Sequence, residues 1–176
     1  NVSSIVKGIA KTFVEMAKSR NITFLSKIPE QVMWNSDKGF LNTIIINLIS
    51  NAFKYTPDGQ SIKIEVDTSR ENMLALRVAN EGSTIKEKDF QYIFNRYAIL
   101  DNFENQDEKN FSRNGLGLAI SYNMAKLLNG TLKVENTSDG WVMFTLTLPV
   151  MELTTGVSET KRLMAEYIPK IDTQPI

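Results

Sequence analysis

Two stretches in the first half of the chain alternate between apolar and polar residues. The apolar positions are Ile62, Ile64 and Val66 in the first and Leu74, Leu76 and Val78 in the second. A period of two places every other side chain on one face of a β-strand. Since a short polar segment separates the stretches, the pattern predicts an antiparallel hairpin. The stretches "TLKVEN" (131–136) and "VMFTLTLP" (142–149) predict a second hairpin around "TSDG", and "ITFLSK" (22–27) predicts a further strand.

Other stretches repeat their apolar residues at intervals of three and four, which is the helical period. The predicted helices are residues 3–19, 35–55, 86–94 and 115–130. Ser36 or Asp37 can cap the start of the second helix, and Gly130 follows the end of the last one. Because helices and hairpins come in separate blocks, we expect an α+β fold in two layers.

The remaining stretches divide the chain into one domain and a tail. Its 176 residues suit a single domain, which we place at residues 1–150. Residues 95–114 are polar and irregular, and a loop of that length is usually functional or mobile. Residues 151–176 lack strand alternation and are interpreted as a linker, with one short helix near residues 159–167.

Composition narrows the possible chemistry. The 20 basic residues balance the 20 acidic ones, which gives no electrostatic reason to expect nucleic acid as a partner. Cysteine is absent, which excludes disulfides and zinc–cysteine sites within the chain. Histidine is also absent, so no histidine of this chain can act as a base, metal ligand or phosphate acceptor. The chain begins with Asn rather than Met, so we expect a piece of a longer protein. No apolar run reaches membrane-spanning length, so any membrane segment would lie in the missing part.

The second predicted helix carries a polar stripe. Asn47, Asn51 and Lys54 follow one another at spacings of four and three, which places them on one helix face. A carboxamide oxygen is a suitable ligand for a magnesium ion that also binds phosphate oxygens, and a lysine adds charge for the phosphates. Two other interpretations remain open, namely a solvated polar face and asparagines that cap a neighbouring backbone.

Three further stretches carry features of a nucleotide site. In "VANEGSTI" (78–85), Asn80 offers an acceptor for an amine and Gly82 lets the backbone approach a flat base. In "IFNRY" (93–97), Arg96 stands where the long loop begins. In "NGLGLAIS" (114–121), glycines open a helix whose N–H groups can receive phosphate.

In this order the stretches resemble the N box, first glycine box, F box and second glycine box of bacterial sensor histidine kinases. The resemblance is to their ATP-binding catalytic domain, of the Bergerat-fold superfamily that includes Hsp90, DNA gyrase B and MutL, and it covers residues 1 to about 149. It implies a two-layer sandwich with a mixed, mostly antiparallel sheet covered by helices on one face. No phosphate-binding loop of the Gly-x4-Gly-Lys-Ser/Thr type occurs in the sequence.

The resemblance implies roles for residues around the phosphates. Asn51 matches the asparagine that binds Mg²⁺ together with ATP, and Asn47 matches its helper. Lys54 and Tyr55 match residues along the phosphates and the sugar. Arg96 matches a basic residue near the terminal phosphate, so Lys54 and Arg96 are the expected catalytic residues.

The resemblance also implies which residues lie around the base and the lid. Asn80 stands where the family usually has an adenine-binding aspartate, and Gly82 matches the glycine after it. Ile85 and Phe94 match apolar positions around the base and the lid. The second glycine box is matched by Gly115, Leu116 and Gly117.

Several family positions are changed. Asn80 replaces the aspartate, and Thr84 replaces the second glycine of the same box. Arg113 and Asn114 replace the glycine and threonine that usually precede "GLGL", and Met143 replaces a common threonine. Loss of the charge weakens the adenine contact, and loss of glycines restricts the lid. These changes are compatible with a slow or conditional kinase.

Asn47 distinguishes between kinase and ATPase. The ATP-hydrolysing relatives typically have a glutamate there that activates water, and a carboxamide cannot take a proton. A kinase that delivers phosphate to an outside histidine needs no such base, because imidazole is already a nucleophile.

Two alternatives to the histidine kinase interpretation remain open. One is a degenerate module that binds nucleotide or a partner without kinase activity, and the other is a serine-phosphorylating relative such as an anti-sigma factor.

The kinase interpretation implies partners outside the chain. The phosphate acceptor would be a histidine-bearing dimerisation domain of the same parent protein, upstream of residue 1. Residues 151–176 could lead to a receiver domain, as in hybrid sensors, and a response regulator would receive the phosphate. The domain would be cytoplasmic without touching the membrane, and the parent would be anchored in the inner membrane.

Overall fold

The computed structural model describes residues 1–95 and 116–150. Its helices are α1 (Val2–Thr12), α2 (Val14–Ser19), α3 (Lys38–Tyr55) and α4 (Gly117–Leu127), with a short 3-10 helix at Glu87–Asp89. Its strands are β1 (Thr23–Lys27), β2 (Ser61–Asp67), β3 (Met73–Glu81), β4 (Thr131–Asn136) and β5 (Trp141–Pro149).

The strands form one five-stranded sheet in the order β1-β2-β3-β5-β4. Strands β1 and β2 are parallel, and all other neighbours are antiparallel. Both predicted hairpins are present, the first with Ile64 opposite Val78 and the second with Leu132 opposite Leu146. The α+β sandwich with a mixed, mostly antiparallel sheet is therefore confirmed.

The helices cover one face of the sheet because the alternating apolar side chains all point to it. The buried side chains of β2, β3 and β5 share one core with Ile44, Ile45, Leu48 and Ile49 of α3. At the start of α3, the Asp37 side chain accepts a hydrogen bond from the Phe40 N–H at 2.8 Å. Sequence patterning and capping together therefore fix the helix that carries the polar stripe.

A second contact fixes the other end of α3. The guanidinium of Arg20 donates to the carbonyl oxygens of Phe53 at 2.5 Å and Thr56 at 2.7 Å, and it pairs with Asp58 at 2.7 Å. A cation at a helix C-terminus satisfies the last carbonyls and offsets the negative end of the dipole. The last turn of α3, with Lys54 and Tyr55, is thus anchored to the segment between α2 and β1.

Three sequence predictions differ from the structure in detail. The helix predicted at 3–19 is broken at Phe13, whose ring stacks on Phe53 of α3 at 5.2 Å. The helix predicted at 86–94 is a three-residue 3-10 helix followed by turns, in which most backbone bonds span three residues. Helix α4 ends through Asn129, with a φ of 55°, so Gly130 is not the left-handed residue.

The opposite face of the sheet is open among the described residues, and its side chains are mostly polar or charged. On it, Asp67 accepts hydrogen bonds from the Ser69 N–H at 2.8 Å and from Arg77 at 3.1 Å. The Ser69 N–H foremost, and then Arg77, lower the pKa of the Asp67 carboxyl to about 2. A groove of about 510 Å³ on this face is lined by Arg77, Lys133 and Met143 among others, and none of the predicted site residues within residues 1–95 and 116–150 lines it.

Candidate functional site

The predicted site lies around the C-terminal half of α3. Its buried residues Leu48, Ile49, Ala52 and Phe53 face the core. Asn47, Asn51 and Tyr55 are half-buried and Lys54 is exposed, with its Nζ 5.0 Å from the ring centre of Tyr55. The polar stripe predicted from the spacing is therefore present on the folded helix.

Asn47 connects α3 to the start of α4. Its Nδ2 donates to the carbonyl oxygen of Gly117 and to the hydroxyl of Ser121, both at 3.1 Å. This fits the interpretation left open above, in which an asparagine caps a neighbouring backbone. Because both hydrogen bonds use the amide nitrogen, Oδ1 keeps its acceptor capacity for a metal ion or a water. Asn47 can thus hold α4 in place and still present an oxygen ligand.

The start of α4 differs from the starts of α1 and α3. Side chains of Asn1 and Asp37 accept hydrogen bonds at those two starts. At α4 the N-cap residue is Leu116, and within the described part of the chain no side chain caps the helix. N–H groups at a helix start carry partial positive charge, which suits an anion. The donors at this helix start therefore fit a phosphate.

The loop after β3 forms the next part of the site. Asn80 is only 3% exposed, and its Nδ2 donates to the hydroxyl of Ser83 at 2.7 Å. Gly82 has a φ of +80°, and a Cβ there would lie 3.0 Å from Pro57, just after α3. Both the backbone angle and the close contact favour glycine, so this turn packs against the end of α3.

A hydrogen-bonded pair holds the same loop from the other side. The Asn136 side chain accepts from the Ile85 N–H at 3.1 Å and donates to the Ile85 carbonyl at 2.7 Å. Asn136 is the last residue of β4, so its carboxamide takes the place of a strand neighbour. Ile85, a predicted base contact, is thereby fixed to the sheet.

Replacing Asn136 by alanine is expected to release this loop. The Ile85 N–H and carbonyl would lose their partners, which we expect to cost about 1–2 kcal/mol of unfolding free energy. Amide exchange should accelerate at Ile85, with little change in the core strands. Asn35→Ala, at an exposed position, serves as the matched control. Urea unfolding and hydrogen exchange measure both effects, and unchanged exchange at Ile85 would contradict this role.

Phe94 joins the loop to α4. Its ring stacks on Tyr122 at 5.0 Å and meets Phe144 of β5 edge-on at 6.4 Å. Phe94 therefore closes the apolar side of the site next to the point where the predicted lid begins. Arg96 and Gly115 lie outside the described residues, as do the rest of the predicted lid and the tail at 151–176.

The structure brings together the described site residues from distant parts of the chain. Asn47 meets Gly117, Gly82 packs next to the end of α3, and Phe94 rests on α4. Sequence reasoning missed three contributors, namely Ser83, Ser121 and Asn136. Only Ser83, beside Asn80 in the quoted stretch, carried a local signal, because the other two act across more than fifty residues.

Comparison with known proteins identifies the family of this chain. A family model described as "Histidine kinase-, DNA gyrase B-, and HSP90-like ATPase" matches residues 36–152. Histidine kinase P4 of Formosa agariphila is 31% identical over 152 residues, which are 85% of this chain and 11% of that protein. Sensor histidine kinase TmoS of Ectopseudomonas mendocina is 31% identical over 150 residues, 85% of this chain and 15% of that protein. The chain thus spans less than a fifth of the length of these two relatives.

Solved structures share the fold. The nucleotide-free catalytic domain of the histidine kinase ThkA superposes with a TM-score of 0.73 at 23% identity, covering 86% of this chain and 96% of that one. Full-length ShkA in complex with AMPPNP gives 0.72 at 18% identity, covering 85% of this chain and 30% of that one. Within residues 1–95 and 116–150, no helix is long and apolar enough to cross a membrane. With its sheet order, its polar stripe on α3 and the family match over residues 36–152, this chain belongs to the histidine kinase-, DNA gyrase B- and HSP90-like ATPase family.

Proposed function

We propose that this chain is the ATP-binding kinase domain of a two-component sensor histidine kinase. It transfers the γ-phosphate of ATP to a histidine on a separate dimerisation domain of the same parent protein. The observation that carries the proposal is Asn47, a carboxamide whose nitrogen is bonded to Gly117 and Ser121 at the start of α4. The sensor kinases among its relatives support the same function, although the chain spans only 11% and 15% of two of them.

Asn47 separates phosphate transfer from hydrolysis. Attack by water needs a base to take its proton, and an amide cannot be that base. A neutral imidazole attacks phosphorus through a lone pair of a ring nitrogen, so the kinase can work without a base at Asn47. We therefore expect transfer to a histidine to be much faster than hydrolysis.

The remaining residues bind and orient the nucleotide. Asn51, with Oδ1 of Asn47, would hold Mg²⁺ through neutral oxygens, and the ion would neutralise charge on the phosphates. The donors at the start of α4, with Leu116 and Gly117, suit the phosphate groups. Lys54 lies at the exposed end of the stripe, where its charge can reach them, and Arg96 is proposed to act on the terminal phosphate.

The base would lie between the loop after β3 and the start of the lid. Asn80 would contact its exocyclic group, Gly82 would let the backbone approach it, and Ile85 would pack on it. Phe94, fixed by Tyr122, would close the apolar side. Gly115 would let the end of the lid approach the phosphates, and Tyr55 would lie along the sugar.

The proposed partners follow from the transfer. They are the histidine-bearing dimerisation domain upstream and a receiver domain or response regulator, in the cytoplasm. A solved relative is the histidine kinase ThkA in complex with the response regulator TrrA, and 41% of that kinase chain is covered by the similarity. We propose residues 1–150 as the catalytic domain and residues 151–176 as a linker that could reach a receiver domain.

Mixing this chain with the separate histidine-bearing hairpin of its parent tests the function. With radiolabelled ATP and Mg²⁺, the hairpin should acquire phosphate that is labile to acid and stable to base. The chain alone should acquire none, because it contains no histidine. Transfer should be slow, since separate domains lack the effective concentration of linked ones.

The control is a hairpin whose acceptor histidine is replaced by glutamine, which should remain unlabelled. Arg96→Ala should slow transfer more than it weakens ATP binding. Brisk ATP hydrolysis by the chain alone would identify an ATPase instead. ATP binding without transfer to the intact hairpin would identify a degenerate binding module.

A further inference from the structure

The paired side chains of Asn80 and Ser83 offer a second hydrogen-bonding state. Asn80 is buried at the end of β3, where its backbone lies opposite Ile62 of β2 and Val142 of β5. Its Nδ2 lies 2.7 Å from the hydroxyl of Ser83. Neighbouring strands on both sides hold the Asn80 backbone, so the side chain can change its hydrogen bonding without moving the strand.

Either orientation of the Asn80 amide keeps the bond to Ser83. A hydroxyl can both donate and accept, and a carboxamide carries one donor group and one acceptor group. When Nδ2 donates to Ser83, Oδ1 is left as an acceptor. When the amide is turned over, Ser83 donates to Oδ1 and Nδ2 is left as a donor. An ionised carboxylate at this position would offer acceptors only.

The two states match two classes of purine. Adenine has an amino group at position 6, which needs an acceptor, and guanine and hypoxanthine have a carbonyl there, which needs a donor. We propose that Asn80 and Ser83 form a purine-reading pair that lets this site bind 6-oxo as well as 6-amino purine nucleoside triphosphates. The inference rests on the proposed function, in which Asn80 faces the base.

The Asn80–Ser83 pair should discriminate between purine bases less strongly than a group that can only accept hydrogen bonds. A site whose buried group can only accept leaves a carbonyl facing a carboxylate, and such unpaired polar groups discriminate strongly. The Asn80–Ser83 pair avoids that mismatch by turning one amide. The expected consequence is weak discrimination between ATP and inosine triphosphate, which differ in the hydrogen-bonding pattern at position 6 and the adjacent ring nitrogen.

Competition binding to the full chain tests the inference. ATP, inosine triphosphate and GTP are each titrated against a bound fluorescent ATP analogue in the presence of Mg²⁺, which gives a Kd for each nucleotide. For the unchanged chain, we expect the Kd of inosine triphosphate within about tenfold of that of ATP. GTP shows whether the 2-amino group is also accepted, because inosine triphosphate lacks it.

Asn80→Asp is expected to raise the ratio of the Kd of inosine triphosphate to the Kd of ATP by more than about tenfold, because ATP should bind more tightly and inosine triphosphate more weakly. Ser83→Ala keeps the amide uncharged and should weaken both nucleotides while leaving the ratio within about threefold of its original value. Circular dichroism and urea unfolding check that both variants fold, and the measurement on the unchanged chain needs no variant.

The outcomes separate this inference from the proposed function. ATP binding with inosine triphosphate more than about 100-fold weaker on the unchanged chain would overturn the purine-reading pair and leave the kinase proposal standing. A folded Asn80→Asp chain with an unchanged ratio would also overturn it. Failure of all three nucleotides to bind would refute both proposals.

Discussion

Replacing Asn51 by alanine is expected to remove the magnesium-dependent part of ATP binding. Asn51 is half-buried on the polar stripe of α3, one turn from Asn47, and its oxygen is a neutral ligand of the kind that Mg²⁺ accepts beside phosphates. Alanine provides no oxygen, so the ion would lose a protein ligand while the base contacts remain. We expect Mg–ATP affinity to fall by roughly 100-fold, about 2.7 kcal/mol.

Calorimetry with Mg²⁺ and with a chelator measures this effect, because only the first affinity should change. Asn42→Ala is the matched control, since it makes the same substitution on α3 outside the stripe. Both variants should unfold at nearly the same urea concentration as the unchanged chain. Equal Mg–ATP affinity in Asn51→Ala and the unchanged chain would remove Asn51 from the metal site.

The strands and the main helix could be predicted because their signals are local. Alternation at Ile62, Ile64 and Val66 reports one buried face directly, and the observed register places these residues in the core. The break at Phe13 could not be predicted in this way. Its cause is a ring contact with Phe53, forty residues away along the chain, and the apolar period continues across the break.

The candidate site also contains residues that local sequence patterns predict and residues whose role depends on distant contacts. Asn47 and Asn51 could be chosen because their helical spacing creates a stripe on one element. The partners of Asn47 are seventy or more residues away, so its second role of holding α4 is visible only in the fold. Asn136 gave no signal at all, because an asparagine at a strand end usually marks a turn. Side chains that hold a site are therefore harder to predict than those that face the ligand.

Gly130→Ala is expected to be the most destabilising small substitution among the glycines of the described residues. A Cβ on Gly130 would overlap the backbone carbonyl oxygen of Thr147 and lie 2.5 Å from Cδ2 of Leu148. In β5, Thr147 is paired with Ala75 of β3 and with Thr131 of β4, so its carbonyl cannot move without disturbing both pairings. We expect a loss of about 3 kcal/mol of unfolding free energy, or roughly 6–12 °C in Tm.

Gly8→Ala is the matched control for this prediction. Gly8 lies on the exposed side of α1, and a Cβ there would have no atom within 4 Å. Since alanine favours helix more than glycine does, this variant should gain about 0.5–1 kcal/mol. If Gly8→Ala raises the free energy of unfolding and Gly130→Ala lowers it, packing against β5 rather than backbone freedom is the reason for glycine at position 130. Equal stability of Gly130→Ala and the unchanged chain in urea would contradict the close approach of Gly130, in the segment between α4 and β4, to β5, on which this prediction depends.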